Sequence, residues 1–91
     1  SNCKIFDLNV LPFECNAQGK FFAKLKFKVT NPVSDRFILK VNGIMYDTLA
    51  YGKELYEIGP FAGDCSTLYK FLVQDIQNSA CQDDYVFTEK I

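Results

Sequence analysis

Four cysteines are the side chains of this chain with the most recognisable chemistry: Cys3, Cys15, Cys65 and Cys81. No two of them form a Cys-x-x-Cys pair, and the chain contains no histidine. Structural zinc sites usually draw on such close pairs and often on histidine, so two disulfides are favoured over a metal site. Disulfides predict an oxidising compartment, and therefore a secreted or cell-surface protein. The alternative is four reduced, buried thiols in a cytosolic protein.

The absence of histidine also bears on catalysis. The usual serine and cysteine nucleophiles depend on a histidine base, which this chain lacks. Asp47, Glu54 and Glu57 offer carboxylates for glycosidic cleavage, but a chain of 91 residues has little room for a substrate cleft. The sequence therefore predicts a protein that is not an enzyme and uses no cofactor.

Two groups of side chains are candidates for a ligand surface. Lys24, Lys26 and Lys28 alternate along the chain and are predicted to share one strand face. That face is either a solvated surface that discourages edge pairing or a patch for an acidic glycan or a surface protein. The second group consists of tyrosines suited to stacking on sugar rings, with core or rim packing as the alternative: Tyr46, Tyr51 and Tyr56.

Neighbouring acids near the C-terminal end offer oxygen ligands for calcium. Asp83 and Asp84 follow Gln82 in a polar stretch, and Asp75 or Asp35 are further candidates. The chain has no Asp-x-Asp-x-Asp run, so ordinary solvated loop acids are the favoured interpretation.

Charge and length narrow the class of protein further. Ten basic and eleven acidic residues nearly cancel, which disfavours nucleic acid as a partner. No apolar run has the length of a membrane span, and no signal peptide is recognisable. We interpret residues 1–91 as one domain of a larger exported protein, with Ser1 and Asn2 as a cloning remnant.

The clearest secondary-structure signal is a strand that carries the three lysines. Apolar residues at positions 21, 23, 25, 27 and 29 alternate with lysines, Phe22 and Thr30. A period of two with one apolar and one charged face predicts a half-buried strand.

Turn signals divide the rest of the chain into short strands. Asn42-Gly43 predicts a two-residue hairpin, because both positions tolerate positive φ. The other strands are predicted at 3–11, 37–41, 44–49, 54–58, 68–76 and 85–91. Seven short strands without a helix predict an all-β, seven-stranded antiparallel β-sandwich. A small barrel is one alternative, and an α+β fold would need a helix over 67–76.

The predicted strand directions rank the cysteine pairings. If the strands alternate up and down, Cys3 and Cys81 lie at one end, and Cys15 and Cys65 lie at the other. We expect Cys3–Cys81 and Cys15–Cys65, although four cysteines allow three connectivities. Cys3–Cys15 is disfavoured because nearly a whole strand separates the two residues.

The corner before the sixth predicted strand resembles a known family. The segment Ile58-Gly-Pro-Phe, followed by Thr67-Leu-Tyr-Lys-Phe-Leu-Val73, is similar to the corner between strands E and F of fibronectin type III domains. The resemblance implies an immunoglobulin- or fibronectin III-like sandwich in which the Tyr69 hydroxyl bonds back to upstream backbone. Phe71 and Val73 would then point inward. The departure is the missing tryptophan of the second strand, whose space Phe27 would fill.

A wider pattern resembles modules of large secreted or surface proteins of Bacteroidetes-type bacteria. It comprises the cysteines around the first strand, the Asn42-Gly43 hairpin, the Gly59-Pro60 corner, Tyr69-x-Phe-x-Val-x-Asp75 and Cys81. Such modules often carry another cysteine at the end of the last strand, which is absent here. The resemblance implies a non-catalytic spacer or adhesion module whose partners are neighbouring domains, a glycan or a surface protein. The alternative is a carbohydrate-binding accessory module of a secreted enzyme.

Overall fold

The computed structural model describes residues 2–12, 19–63 and 68–87. Within them the chain is all-β, with seven strands and no helix. The strands are β1 (Lys4–Pro12), β2 (Lys20–Thr30), β3 (Arg36–Val41), β4 (Ile44–Ala50), β5 (Tyr56–Ala62), β6 (Lys70–Asp75) and β7 (Gln82–Val86). The predicted all-β class is confirmed.

The seven strands form two sheets. One contains three strands in the order β1-β2-β5, and the other contains four in the order β4-β3-β6-β7. Every paired neighbour is antiparallel. The edge strands are therefore β1 and β5 in the first sheet, and β4 and β7 in the second.

Alternation along β2 explains how the sheets enclose a core. Phe21, Ala23 and Leu25 are buried, whereas Lys26 and Lys28 between the apolar positions are exposed. Phe37 and Phe71 supply the facing layer from the second sheet, and neither is accessible to solvent. Burying one such ring contributes about 1.5–3 kcal/mol. The half-buried Phe27 packs edge-on against Phe37, with ring centroids 4.9 Å apart.

The prediction for β5 ends the strand too early. The sequence places a strand over 54–58 and a corner at Gly59-Pro60, but the strand continues to Ala62. Pro60 is tolerated because β5 is an edge strand, whose outer side needs no ladder donor. Gly59 has a φ of +122° where the β2–β5 register shifts between Phe21 and Ala23.

β7 also differs from its predicted position. The sequence assigns 77–84 to a polar loop and 85–91 to the strand, but β7 comprises Gln82–Val86, and residues 88–91 lie outside the described part of the chain. Its polar first residues pair with β6, with Gln82 opposite Gln74 and Asp84 opposite Leu72. Edge strands accommodate such polar residues because one side faces water.

The predicted Cys3–Cys81 disulfide is present, with the two Cα atoms 5.7 Å apart. It joins the residue before β1 to the residue before β7. One disulfide is therefore observed where the sequence predicts two. The predicted Cys15–Cys65 pair lies outside the residues that the structure describes.

The molecule has two ends, which we name after Asp75 and Tyr69. The Asp75 end holds the disulfide and the connections β2–β3, β4–β5 and β6–β7. The Tyr69 end holds the β3–β4 hairpin and the start of β6. There the Tyr69 hydroxyl donates to the Ala62 carbonyl, which confirms the predicted bond to upstream backbone. Phe71 and Val73 are fully buried, as predicted.

Candidate functional site

Asp75 is the one buried charged side chain among the described residues, and it is completely inaccessible to solvent. It is the last residue of β6, two positions beyond the inward-facing Val73. Because alternate strand residues share a face, the period of two that buries Phe71 and Val73 also turns Asp75 inward. A carboxylate in this position needs hydrogen-bond donors to offset its lost hydration.

Four donors surround the Asp75 carboxylate. One oxygen accepts the Gln77 N–H at 2.9 Å and the Ser34 hydroxyl at 3.2 Å. The other accepts the Tyr51 hydroxyl at 2.9 Å and the Ser34 N–H at 3.3 Å. These donors come from the connections after β2, β4 and β6, so one side chain joins the three connections at this end of the molecule.

The network changes the protonation of both acidic partners. Burial by itself raises the pKa of Asp75, but the bonds donated by Gln77, Tyr51 and Ser34 outweigh it and leave the pKa below its usual value. Burial and the adjacent Asp75 carboxylate raise the pKa of the Tyr51 hydroxyl far above its ordinary value. At neutral pH the pair is therefore a carboxylate and a neutral phenol. This arrangement holds the three connections together through hydrogen bonds.

The network is continuous with the disulfide through the backbone. The Asp75 N–H donates to the Cys81 carbonyl at 2.9 Å, and the Cys81 N–H donates to the Asn78 carbonyl at 3.0 Å. The Ile76 N–H donates to the Arg36 carbonyl at 3.2 Å. The β6–β7 connection is thus fixed by the Asp75 carboxylate, by main-chain bonds and by the covalent link to Cys3.

The three predicted lysines lie along β2, on the face directed away from the core. Lys28 pairs with Asp7 at 3.6 Å, with both side chains largely exposed. Lys24 is half-buried and stands opposite Glu57 of β5. A surface ion pair of this kind contributes about 0–1 kcal/mol. The three lysines therefore share one strand face, on which Lys28 forms an ion pair with Asp7 of β1.

Two of these lysines line an open groove of about 380 Å³. Its walls are formed by Asp7, Lys26, Phe27, Lys28 and Glu54. The groove lies where β2 continues past the start of β5, since the β2–β5 pairing ends at Leu25 opposite Tyr56. An aromatic ring together with charged groups of both signs is a combination that can bind a polar ring-shaped ligand. Lys24 is not part of this groove.

The three predicted tyrosines do not form one surface. Tyr56 is buried, and its hydroxyl donates to the Ala50 carbonyl at 2.7 Å. Tyr51 is half-buried and bonded to Asp75. The exposed Tyr46 bridges the two sheets, because its hydroxyl donates to the Gly59 carbonyl at 3.1 Å and accepts the Gly59 N–H at 3.0 Å.

The two acids predicted as calcium ligands lie within β7 instead of in a loop. Asp83 accepts the Leu8 N–H of β1 at 3.0 Å and so bridges the two sheets on the side opposite Tyr46. Asp84 is exposed and pairs with Lys70 at 3.5 Å. Among the residues that the structure describes, no three His, Cys, Asp or Glu side chains are grouped to hold a metal ion.

Sequence reasoning missed the role of Asp75 as the centre of this site. The signal for it was its position in the alternating run Tyr69-x-Phe71-x-Val73-x-Asp75, where the last residue falls on the inward face. The Gln77 N–H is a local donor two residues away, but the other three donors belong to Ser34 and Tyr51, which are 41 and 24 residues distant, and no local pattern identifies them.

Comparison with known proteins found no matching family model, no similar curated protein and no similar solved structure. In the described part of the chain, no helix is long and apolar enough to cross a membrane. The site must therefore be interpreted from its own geometry.

Proposed function

We propose that this chain is a non-catalytic structural or adhesion module of a multidomain secreted or cell-surface protein, with an immunoglobulin- and fibronectin III-like fold. The sheet orders β1-β2-β5 and β4-β3-β6-β7 and the Tyr69 corner support that fold. The Cys3–Cys81 disulfide supports export, since such bonds persist in oxidising compartments.

The observation that carries the proposal is the path of the chain through an elongated body of 44 × 20 × 20 Å. The described chain enters at the Asp75 end, where Cys3 is bonded to Cys81. It leaves β7 at the Tyr69 end, where the Phe87 N–H donates to the Tyr69 carbonyl at 3.1 Å. Neighbouring domains joined at these two points would be held apart along the long axis, which suits a spacer.

The polar side chains support the same function. Asp75, Tyr51 and Tyr56 make bonds that hold connections in place, and Tyr46 and Asp83 make bonds between the sheets. In each case a reactive or sugar-stacking group is engaged within the fold. The arrangement favours stability of one shape over ligand chemistry.

A second function, a carbohydrate-binding accessory module, is supported by the groove beside β2. Phe27 and two lysines line it together with Asp7 and Glu54. An acidic sugar would be the best ligand for these lysines, because its charge is opposite to theirs.

Thermal unfolding with a panel of soluble neutral and acidic glycans separates the two functions. A ligand present at 100 times its Kd stabilises a protein by about 2.7 kcal/mol, which raises the Tm of a domain this small by roughly 10 °C or more. We expect no glycan to shift the Tm. Lys40→Glu, on the other sheet, is the control for Lys26→Glu in the groove. A Tm shift that disappears in Lys26→Glu but persists in Lys40→Glu would contradict the spacer function and support carbohydrate binding in the groove.

A further inference from the structure

Three of the four sheet edges are protected against pairing with another strand. β1 is interrupted by a bulge between Phe6 and Asn9, and its Leu8 N–H is bound by Asp83 of β7. β5 contains Pro60, and the Tyr46 hydroxyl occupies both backbone groups of Gly59. β7 is only five residues long and begins with polar and acidic residues. Bulges, prolines and charges of these kinds prevent edge-to-edge association.

β4 has a register shift at Tyr46 and one charge, Asp47, but its other residues carry none of these features. Its sequence, Ile-Met-Tyr-Asp-Thr-Leu-Ala, contains one charge and no lysine, proline or glycine. Ile44 is 73% exposed, Met45 is 59% exposed and Tyr46 is 39% exposed. The β3–β4 pairing shifts beside Tyr46 and is regular from Asp47 to Ala50. An exposed apolar edge of this kind is a template for strand addition.

Hydrogen bonds show which backbone groups of β4 face outward. The Tyr51 N–H, just after the strand, donates to the Asp35 carbonyl on the β3 side. Alternate residues in a ladder point their backbone groups in opposite directions, so Thr48 and Ala50 face the free edge. Consistently, the Thr48 N–H is bound by the neighbouring Asp47 carboxylate at 2.8 Å, and the Ala50 carbonyl by the Tyr56 hydroxyl.

We propose that the β4 edge binds β4 of a second copy of this chain in antiparallel orientation, with the two-fold axis at Thr48. The four-stranded sheet would then continue into one of eight strands. In this register the outward N–H and C=O of Thr48 exchange two reciprocal hydrogen bonds with Thr48 of the second copy. Asp47 stands opposite Leu49 of the second copy, so the one charged residue of the strand does not face itself.

A second copy fits this edge because the strand is complementary to itself. A symmetric register must centre on a single residue if paired side chains are to share a face. Centring on Asp47 would place like charges directly opposite each other, which is destabilising. Centring on Thr48 instead forms a Thr–Thr pair, one of the favourable cross-strand pairs. Ile44 and Met45 then lie towards the β4–β5 connection of the second copy.

The Asp47 carboxylate must leave the Thr48 N–H before the two strands pair, and extending the pairing to Ala50 requires its carbonyl to be released by the Tyr56 hydroxyl. Both contacts make the association weak and adjustable. Asp47→Asn removes the charge from the edge and weakens the bond that occupies this donor. This variant should raise the association constant roughly 2- to 5-fold. A residue with only a local structural role would not increase self-association when it is replaced.

Sedimentation velocity across micromolar to millimolar concentrations tests the proposal, because small interfaces are populated only in this range. We expect a reversible monomer–dimer equilibrium for the intact protein and for Thr48→Val, which keeps the N–H. Thr48→Pro should abolish the dimer, because proline lacks the N–H that faces the free edge. The hydrogen bonds between β3 and β4 do not use this N–H and are kept. Should Thr48→Pro fail to fold, Thr48→Lys provides the same test by placing two like charges at the axis.

Cysteine crosslinking checks the register directly. Thr48→Cys should form an intermolecular 48–48 disulfide, identified by peptide mapping, whereas Glu57→Cys on the protected β5 edge should not. A protein that stays monomeric up to millimolar concentration would overturn the proposal. So would a dimer that Thr48→Lys leaves unchanged, or the binding of an unrelated extended peptide at β4 in place of a second copy.

Discussion

At the residue scale, the buried Asp75 carboxylate stabilises the fold by joining three connections between strands. Four donors from three connections compensate its lost hydration, and the net effect is a pKa below the usual value of about 3.8. The native state therefore favours the carboxylate more strongly than the unfolded chain does. The stability that Asp75 contributes is fully present above the unfolded pKa and is lost as pH falls through the lower, folded pKa.

Asp75→Asn should lower the free energy of unfolding at pH 7 by roughly 2–4 kcal/mol, because an amide cannot accept all four hydrogen bonds and turns donors towards donors. Below pH 3.8 the difference between the variant and the parent should shrink, because the carboxylate is protonated first in the unfolded chain and then, at lower pH, in the folded protein. Urea unfolding from pH 7 to pH 2 measures both effects. The exposed Asp35→Asn is the control, with an expected change within about 0.5 kcal/mol. A difference that stays constant with pH would contradict the role of the charge.

The inward position of Asp75 can be predicted from the sequence, whereas its distant hydrogen-bond donors cannot. Alternation places Asp75 on the same face as Phe71 and Val73, and a charge on a core face must find donors. The partners follow from tertiary structure, because Ser34 and Tyr51 are 41 and 24 residues away along the chain. For the same reason, the local sequence does not show whether a tyrosine is available to stack on a sugar or is engaged within the fold. The hydroxyls of Tyr51 and Tyr56 are engaged, because they donate to Asp75 and to the Ala50 carbonyl.

At the element scale, β5 shows why strand bounds are harder to predict than strand existence. Gly59-Pro60 has the sequence signature of a corner, yet it lies inside an edge strand. A Cβ atom on Gly59 would lie 3.0 Å from the Phe21 carbonyl oxygen and 3.1 Å from the Phe22 Cα. The glycine is therefore required by the close approach of β2 as well as by its positive φ. That approach depends on pairing between residues far apart in sequence.

Gly59→Ala should destabilise the protein by more than its backbone conformation alone accounts for. Gly52 has a similar φ of +112°, but a methyl group added there would have no atom within 4 Å, so Gly52→Ala isolates the conformational cost. We expect about 1–3 kcal/mol for Gly52→Ala. Gly59→Ala should cost a further 1–3 kcal/mol, roughly, from overpacking against β2. Equal losses in thermal or urea unfolding would show that contact with β2 is unimportant.

The remaining elements follow from their local patterns. The alternation of β2 and the Asn42-Gly43 turn predict their strand and hairpin, and both are present. Asn42 and Gly43 have φ values of +52° and +80°, as such a turn requires. The predicted start of β7 is wrong because its first residues are polar, and only their pairing with β6 makes them a strand.

At the scale of the whole molecule, the disulfide determines how tension would pass through the domain. A pull between Cys3 and Phe87 is transmitted through the Cys3–Cys81 bond and then along β7. The residues between the two cysteines, which are 78 positions apart in the sequence, carry none of the pulling force while the bond is intact. A spacer with this connection would keep its length under load. The same bond restricts the conformations of the unfolded chain. This loss of loop entropy contributes on the order of 4 kcal/mol to the stability of the folded protein.

Single-molecule force extension, with handles attached beyond each end of the chain, tests the central claim that this is a structural module. Full reduction should produce an unfolding step of about 260–280 Å, because the 78-residue stretch closed by the Cys3–Cys81 bond is released at roughly 3.3–3.6 Å for each residue. The oxidised protein should lengthen by no more than about 20 Å, the span of the few residues of β7. A long step in the oxidised protein would contradict a spacer whose length is fixed by the Cys3–Cys81 bond.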